Sequence, residues 1–300
     1  MREFLMGQKI LMVESNSTMY QRFLSPDFSP FNPLKLAEET EKVITREGEE
    51  GLKRKYLSFY SAPVYRGIAT GYAVGCCLRC FYCWANWSRD FPEKCGDFYS
   101  PRKAAHNLFE AAEKGIVSPG WERFRGLKID KLRLSGCEPT LGKEHLLRLL
   151  EYVMQSRYPL FILETNGILL GSDTDYVERL AAFKEKLYVR VSFKAATPEG
   201  FETRTGAVGK YYELPFNALQ YLLDNGIYAK AAAMTDSRVM PKEERDILLH
   251  RLDEIDPKSD YFHTLEEEGI DLYDTTVKRI KAFCDADFAR ELENVVSNEM

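Results

Sequence analysis

From about residue 65 the chain alternates between two kinds of segment. Short runs of small, β-branched and aromatic residues are followed by longer stretches with apolar residues every three or four positions. The first pattern predicts a buried strand and the second an amphipathic helix. Strands are predicted over 67–74, 131–135, 160–164, 187–193 and 227–234. Helices are predicted between them. The first runs over 101–114, with Ser100 as its cap, Pro101 in its first turn and Gly115 as its stop. The next covers 143–155, where Leu146, Leu147, Leu149, Leu150 and Val153 make the apolar stripe. Further helices are predicted over 173–183, 214–224 and 241–252. No sixth strand shows in the pattern. Residues 260–300 read as helical, with Val277, Ile280 and Phe283 apolar among acidic neighbours. Upstream, 35–55 reads as a charged surface helix interrupted by Gly48 and Gly51. Residues 1–33 read as irregular, because Pro26, Pro30 and Pro33 push the residues before them away from helix.

Strands that alternate with helices of ten or more residues form βαβ units around a parallel sheet. Five or six units predict an α/β fold, a partial (β/α)6 TIM-like barrel with N- and C-terminal helical extensions. The expected organisation is an extension over 1–64, a core barrel over 65–259 and a C-terminal helical extension over 260–300. Functional residues of such barrels sit where strands end. Composition agrees with a globular chain: 45% of residues are hydrophobic and 29% charged. The net charge of −5 gives no electrostatic reason to expect nucleic acid as partner. No apolar run reaches the ~18 residues of a membrane span. Met1 to Ile10 carries Arg2, Glu3 and Lys9 and lacks a secretory apolar core, so a cytoplasmic location is expected. In that compartment seven cysteines point to metal or redox chemistry rather than to disulfides.

Four of the seven fall within Gly75-Cys76-Cys77-Leu78-Arg79-Cys80-Phe81-Tyr82-Cys83-Trp84, directly after the first strand. Cys76, Cys80 and Cys83 form a CxxxCxxC triplet. Thiolates select iron–sulfur clusters or zinc. A closed zinc site wants four protein ligands, but the loop supplies three, and Cys95, Cys137 and Cys284 are each isolated. A four-iron cluster held by three cysteines keeps one iron open for a small molecule, which is the better chemical match. The alternative is a non-catalytic zinc-binding or redox-sensing loop.

Cys76-x-x-x-Cys80-x-Tyr82-Cys83 resembles the signature of the radical S-adenosylmethionine (SAM) superfamily. The resemblance implies a partial barrel, a [4Fe–4S] cluster on Cys76, Cys80 and Cys83, and SAM chelating the remaining iron through its amino and carboxylate groups. One electron then cleaves SAM to a 5′-deoxyadenosyl radical that abstracts hydrogen from a substrate. Three further segments carry the resemblance over about residues 65–235. Gly136-Cys137-Glu138-Pro139 is similar to the family's Gly-Gly-Glu-Pro, with Glu138 set to receive the SAM amino group and Cys137 in place of the second glycine. Thr165-Asn166-Gly167 resembles the Thr-Asn-Gly of the molybdenum-cofactor-cyclase and activating-enzyme branches, near the methionine or ribose of SAM. Val191-Ser192-Phe193-Lys194-Ala195 resembles the fourth-strand segment of glycyl-radical activating enzymes, with Lys194 facing the SAM carboxylate. Ser192 stands where those enzymes carry Asp and matches the cyclase branch instead. Tyr82 is expected beside the adenine, and Gly226-Ile227-Tyr228-Ala229 is the candidate adenine segment.

Trp84, Asn86, Trp87, Arg89, Asp90, Lys94 and Cys95 follow the cysteines and could face SAM or substrate. Arg133 and Arg190 alternate into the lumen and need anionic partners, for which a carboxylate or phosphate of substrate or SAM is the candidate. The implied partners are a reducing electron donor such as ferredoxin or flavodoxin, and a substrate that is either a protein, as in glycyl-radical activation, or a small metabolite.

Overall fold

The computed structural model describes residues 20–294; the reading of Met1 to Ile10 lies outside them. Among the described residues nine strands form one sheet: β1 (Thr45–Arg46), β2 (Lys53–Ala62), β3 (Ile68–Ala73), β4 (Asp97–Tyr99), β5 (Lys131–Gly136), β6 (Leu160–Thr165), β7 (Leu187–Phe193), β8 (Tyr228–Met234) and β9 (Glu266–Glu268). Their order is β1-β2-β3-β5-β6-β7-β8-β9, with β4 on β2. From β3 to β9 every pairing is parallel, so six parallel strands follow one another in chain order. This is the expected partial (β/α)6 barrel.

The alternation along the strands explains the layers. Leu132, Leu134, Phe161, Leu163, Val189, Val191, Ala229 and Ala231 belong to the main apolar core shared with the helices. The residues between them, including Arg133, Ser135, Glu164, Arg190 and Ser192, take the other face. A slip of one residue would drive these charges into the helix layer, so the pattern also fixes the register. On the inner face Ala62, Ile68, Ile162 and Tyr188 form a small apolar cluster of their own. It floors the lumen below the strand ends. The helix Pro101–Lys114 begins as expected: Ser100 Oγ accepts from Lys103 N at 3.3 Å.

The extensions differ from the expectation. Residues 35–55 are not one helix. A helix over Pro33–Ile44 ends at β1, and β2 then runs antiparallel to β3, with Phe59 opposite Gly71. The sheet therefore crosses the expected boundary at residue 64. β2 opens Lys-Arg-Lys, which hid it as a strand, yet Arg54 is fully buried. Residues 260–300 are not wholly helical either. They supply β9, the sixth barrel strand, before the helices Asp274–Phe283 and Ala286–Asn294. β9 is three glutamates and carries no apolar signal.

Candidate active site

The loop after β3 is tied to the end of β5: Glu138 N donates to the Gly75 carbonyl at 2.9 Å, and Gly75 N to Ser88 O at 3.2 Å. Gly75 has φ +83°, and a Cβ there would lie 2.7 Å from the Thr40 side chain. Glycine is required at this bend. The thiols of Cys76, Cys80 and Cys83 are free and line one cavity of about 290 Å³ at the strand ends. Cys77 is buried in the apolar cluster behind them and does not line it. A hydrogen bond from the Cys77 thiol pulls Cys76 down to about 7 against its burial, whereas burial pushes Cys80 up to about 12.

A loop this irregular leaves carbonyls unpaired, and buried arginines answer them. Arg79 Nη1 donates to the Cys76 and Leu78 carbonyls at 2.7 and 2.8 Å. Arg89 Nη1 reaches Cys80 O at 2.6 Å while its fork grips Asp90. Arg279, from the C-terminal helix Asp274–Phe283, donates to Cys83 O at 2.6 Å, Ala85 O at 2.5 Å and Asp90 Oδ2 at 2.5 Å. Arg54 of β2 does the same at the next loop, binding the carbonyls of Glu138, Pro139 and Val74. Two of these cations also favour the thiolate form of the cysteines beside them, Arg79 at Cys76 and Arg89 at Cys80. Sequence reasoning passed over Arg54, Arg79 and Arg279, since nothing local marks them as buried.

All ten residues expected in the site line the same cavity: Cys76, Cys80, Tyr82, Cys83, Gly136, Glu138, Thr165, Asn166, Ser192 and Lys194. Glu138 is buried, and its Oε1 accepts from Thr140 N at 3.0 Å, Thr140 Oγ1 at 2.6 Å and Thr165 Oγ1 at 2.7 Å. Its Oε2 accepts only from Asn166 N, at 2.8 Å, and keeps acceptor capacity. The Asn166 amide donates to the sulfurs of Cys77 at 3.3 Å and Cys76 at 3.7 Å. Gly136 has φ +97°, and a Cβ would meet the Tyr72 ring at 2.6 Å. Lys194 Nζ donates to Ser192 Oγ at 2.5 Å, and Ser192 Oγ to Glu268 at 3.3 Å. The Tyr82 hydroxyl is buried without a hydrogen-bond partner.

Other expectations are redirected. Trp84 and Arg89 line the cavity, but Asn86, Trp87, Asp90, Lys94 and Cys95 do not. Arg133 and Arg190 do face the lumen, yet their anionic partners are the protein's own: Arg133 pairs with Glu164 at 3.1 Å, and Arg190 with Glu266 at 2.5 Å and Glu268 at 2.9 Å. Burial favours a neutral Glu164, but Arg133, Arg190, Ser135 and Tyr65 outweigh it and hold the carboxyl below its usual range. Gly226 precedes β8 and Tyr228 opens it, exposed, at the end opposite to Met234, which lines the cavity. The candidate adenine segment is therefore remote from the site.

Among the described residues no three His, Cys, Asp or Glu side chains gather around a single-ion position. A cubane cluster does not ask for that, because each thiolate binds its own iron. Three free thiols on one cavity, backed by buried cations and beside an unpartnered hydroxyl, fit such a cluster with a polar ligand next to it.

The fold and site together define a partial barrel with three free cysteines lining one cavity at its strand ends. The sequence profile of the Radical SAM superfamily matches residues 72–252, more than half of the chain, and the chain belongs to that superfamily, whose enzymes use a [4Fe–4S] cluster and SAM. None of the curated proteins matches the chain. Solved structures are also similar to it, three of them as follows. TYW1 with a lysine-pyruvate adduct bound is 17% identical with a TM-score of 0.48, over 77% of this chain and 73% of that one. Streptococcus suis SuiB bound to S-adenosylmethionine is 16% identical with a TM-score of 0.46, over 77% and 42%. A radical SAM methyltransferase from Sphaerobacter thermophilus is 12% identical with a TM-score of 0.45, over 83% and 70%. Among the described residues no helix is long and apolar enough to cross a membrane.

Proposed function

We propose that the chain is a single-cluster radical SAM enzyme that acts on a substrate admitted to the barrel lumen. The observation that carries this is the convergence of Cys76, Cys80 and Cys83 with Glu138, Asn166, Ser192 and Lys194 on one cavity. The bound cofactors would supply reductive cleavage of SAM and hydrogen abstraction by the 5′-deoxyadenosyl radical. Cys76, Cys80 and Cys83 hold the cluster, and Cys77 stays behind them as packing. Asn166 donates to the Cys76 sulfur and steadies its charge. Glu138, oriented by Thr140 and Thr165, presents its free Oε2 lone pair to the SAM amino group. Arg79, Arg89 and Arg279 bind the loop carbonyls and hold the loop in shape. An electron donor such as ferredoxin or flavodoxin, in the cytoplasm, completes the reading, and the substrate is a protein segment or a small metabolite.

Anaerobic reconstitution with iron and sulfide, then dithionite and SAM, is expected to yield 5′-deoxyadenosine, and Cys80→Ala to abolish both cluster and product. A chain that takes up one zinc and no sulfide would instead support the zinc-binding alternative.

A further inference from the structure

Glu268 lies outside every motif of the cysteine-loop and strand-end segments, yet it is the hub of the lumen wall. Arg190, Ser192 and Lys194 alternate along one face of β7, and all three converge on its carboxylate. Arg190 Nη2 donates to Oε1 at 2.9 Å and Ser192 Oγ to Oε2 at 3.3 Å, while Lys194 Nζ lies 4.0 Å from Oε2. β8 stands between β7 and β9. Its residue in the row of Ser192 and Glu266 is Ala232, whose methyl leaves room for the glutamates to reach across.

The charges close within this group. Arg190 and Lys194 are answered by Glu266 and Glu268. A neutral group has no net pull on an anion, and a ligand carboxylate at Lys194 would lie beside a glutamate that is itself ionised. Burial favours protonation of Glu268, but Lys194, Arg190 and Ser192 hold its carboxyl below the usual range. What the group does present is an acceptor carboxylate beside a donor ammonium. Two adjacent hydroxyls, each able to donate and to accept, match that pair. SAM carries one such pair, on its ribose. Tyr82 lines the same cavity, and its hydroxyl, buried and without a hydrogen-bond partner, feels the Glu268 charge.

The geometry points to Glu268 as a cofactor-binding residue that accepts hydrogen bonds from the ribose hydroxyls of SAM, with Lys194 donating to the same hydroxyls rather than to the SAM carboxylate. This assignment rests on the radical SAM reading of the site.

The test is equilibrium binding to the cluster-loaded protein under anaerobic conditions, with SAM, free methionine, adenosine and 2′,3′-dideoxyadenosine as probes. Glu268→Gln is expected to weaken SAM about 10- to 100-fold, the cost of a lost charged hydrogen bond, and to leave methionine unchanged. In the wild type, adenosine binds more tightly than its dideoxy analogue; in Glu268→Gln that difference shrinks, because the two changes remove the same contact. Glu268→Gln that binds SAM as well as wild type overturns the assignment, as does tighter binding of methionine, which would make Glu268 a mask over an anion site. If the variant fails to load cluster, equal affinity of wild type for adenosine and its dideoxy analogue overturns it. A wild type that loads no cluster or binds no SAM overturns the proposed function and this assignment together.

Discussion

Arg279→Ala is expected to loosen the cysteine loop from the far end of the chain. Arg279 is 3% exposed, and its guanidinium serves four acceptors: the carbonyls of Cys83 at 2.6 Å, Ala85 at 2.5 Å and Asn86 at 3.0 Å, and Asp90 Oδ2 at 2.5 Å. Its removal strips buried Asp90 of one of two cation partners and leaves the three carbonyls to longer, neutral donors: Thr276 Oγ1 for Cys83 and Thr275 Oγ1 for Ala85, each at 3.3 Å, and Arg89 N for Asn86 at 3.4 Å. Breaking a buried pair in this way costs about 3–5 kcal/mol, a large share of the roughly 5–15 kcal/mol that holds an ordinary domain together. The assay is urea unfolding of the cluster-free protein together with iron and sulfide content after reconstitution. Both are expected to fall. Arg279→Lys retains the charge but not the planar fork, so it should recover only part of the loss. Arg290→Ala serves as control, since Arg290 pairs with exposed Asp287 and such pairs contribute about 0–1 kcal/mol. Stability within ~1 kcal/mol of wild type and full iron loading in Arg279→Ala would refute the clamp.

Two further outcomes are expected. Cys77→Ala keeps the cluster while Cys76→Ala loses it, read by iron content and visible absorbance; the reverse order would make Cys77 the ligand. His145 supplies a pH dependence. Its Nδ1 donates to the Leu52 carbonyl at 2.8 Å, which leaves Nε2 to accept from the Tyr56 hydroxyl at 3.0 Å. Burial holds its pKa at about 3, with the Leu52 carbonyl opposing and Arg54 assisting. In the unfolded chain histidine titrates near ~6.5. Between those values the unfolded state binds the extra proton, so the contribution is complete above about pH 6.5 and is lost as pH falls toward about 3, by up to ~1.4 kcal/mol per unit. Unfolding of the cluster-free protein at pH 7, 6 and 5 measures it, and His145→Gln should flatten the slope. Equal slopes in the two proteins would show that His145 is not its source.

The legibility of the chain follows the range of the interactions. Five barrel strands stand out because their outer faces pack leucine, valine and alanine against helices, a period-two pattern contained in each segment. The cysteine triplet is as local: three thiols in eight residues meet wherever the loop is placed. Gly136-Cys137-Glu138, Thr165-Asn166 and Ser192-x-Lys194 could be placed as well, because a barrel gathers strand ends. β2 and β9 behave differently. Lys53-Arg54-Lys55 and Glu266-Glu267-Glu268 look like solvated charge runs. They are strands because Arg54 finds three carbonyls and Glu266 and Glu268 find Arg190, groups far away in sequence.

The same division holds at the site. Residue types and spacings predicted the barrel and the cysteine loop, and the resemblance to the superfamily picked out the other residues that line the cavity. Only the tertiary structure decided that Cys77 is turned away, that the lumen arginines are neutralised by the protein's own carboxylates, that Glu268 comes beside Lys194, and that Arg279, far along the chain, binds the cysteine loop. Apolar periodicity is written residue by residue along the chain, whereas a buried charge is tolerated only through the partner that folding brings to it.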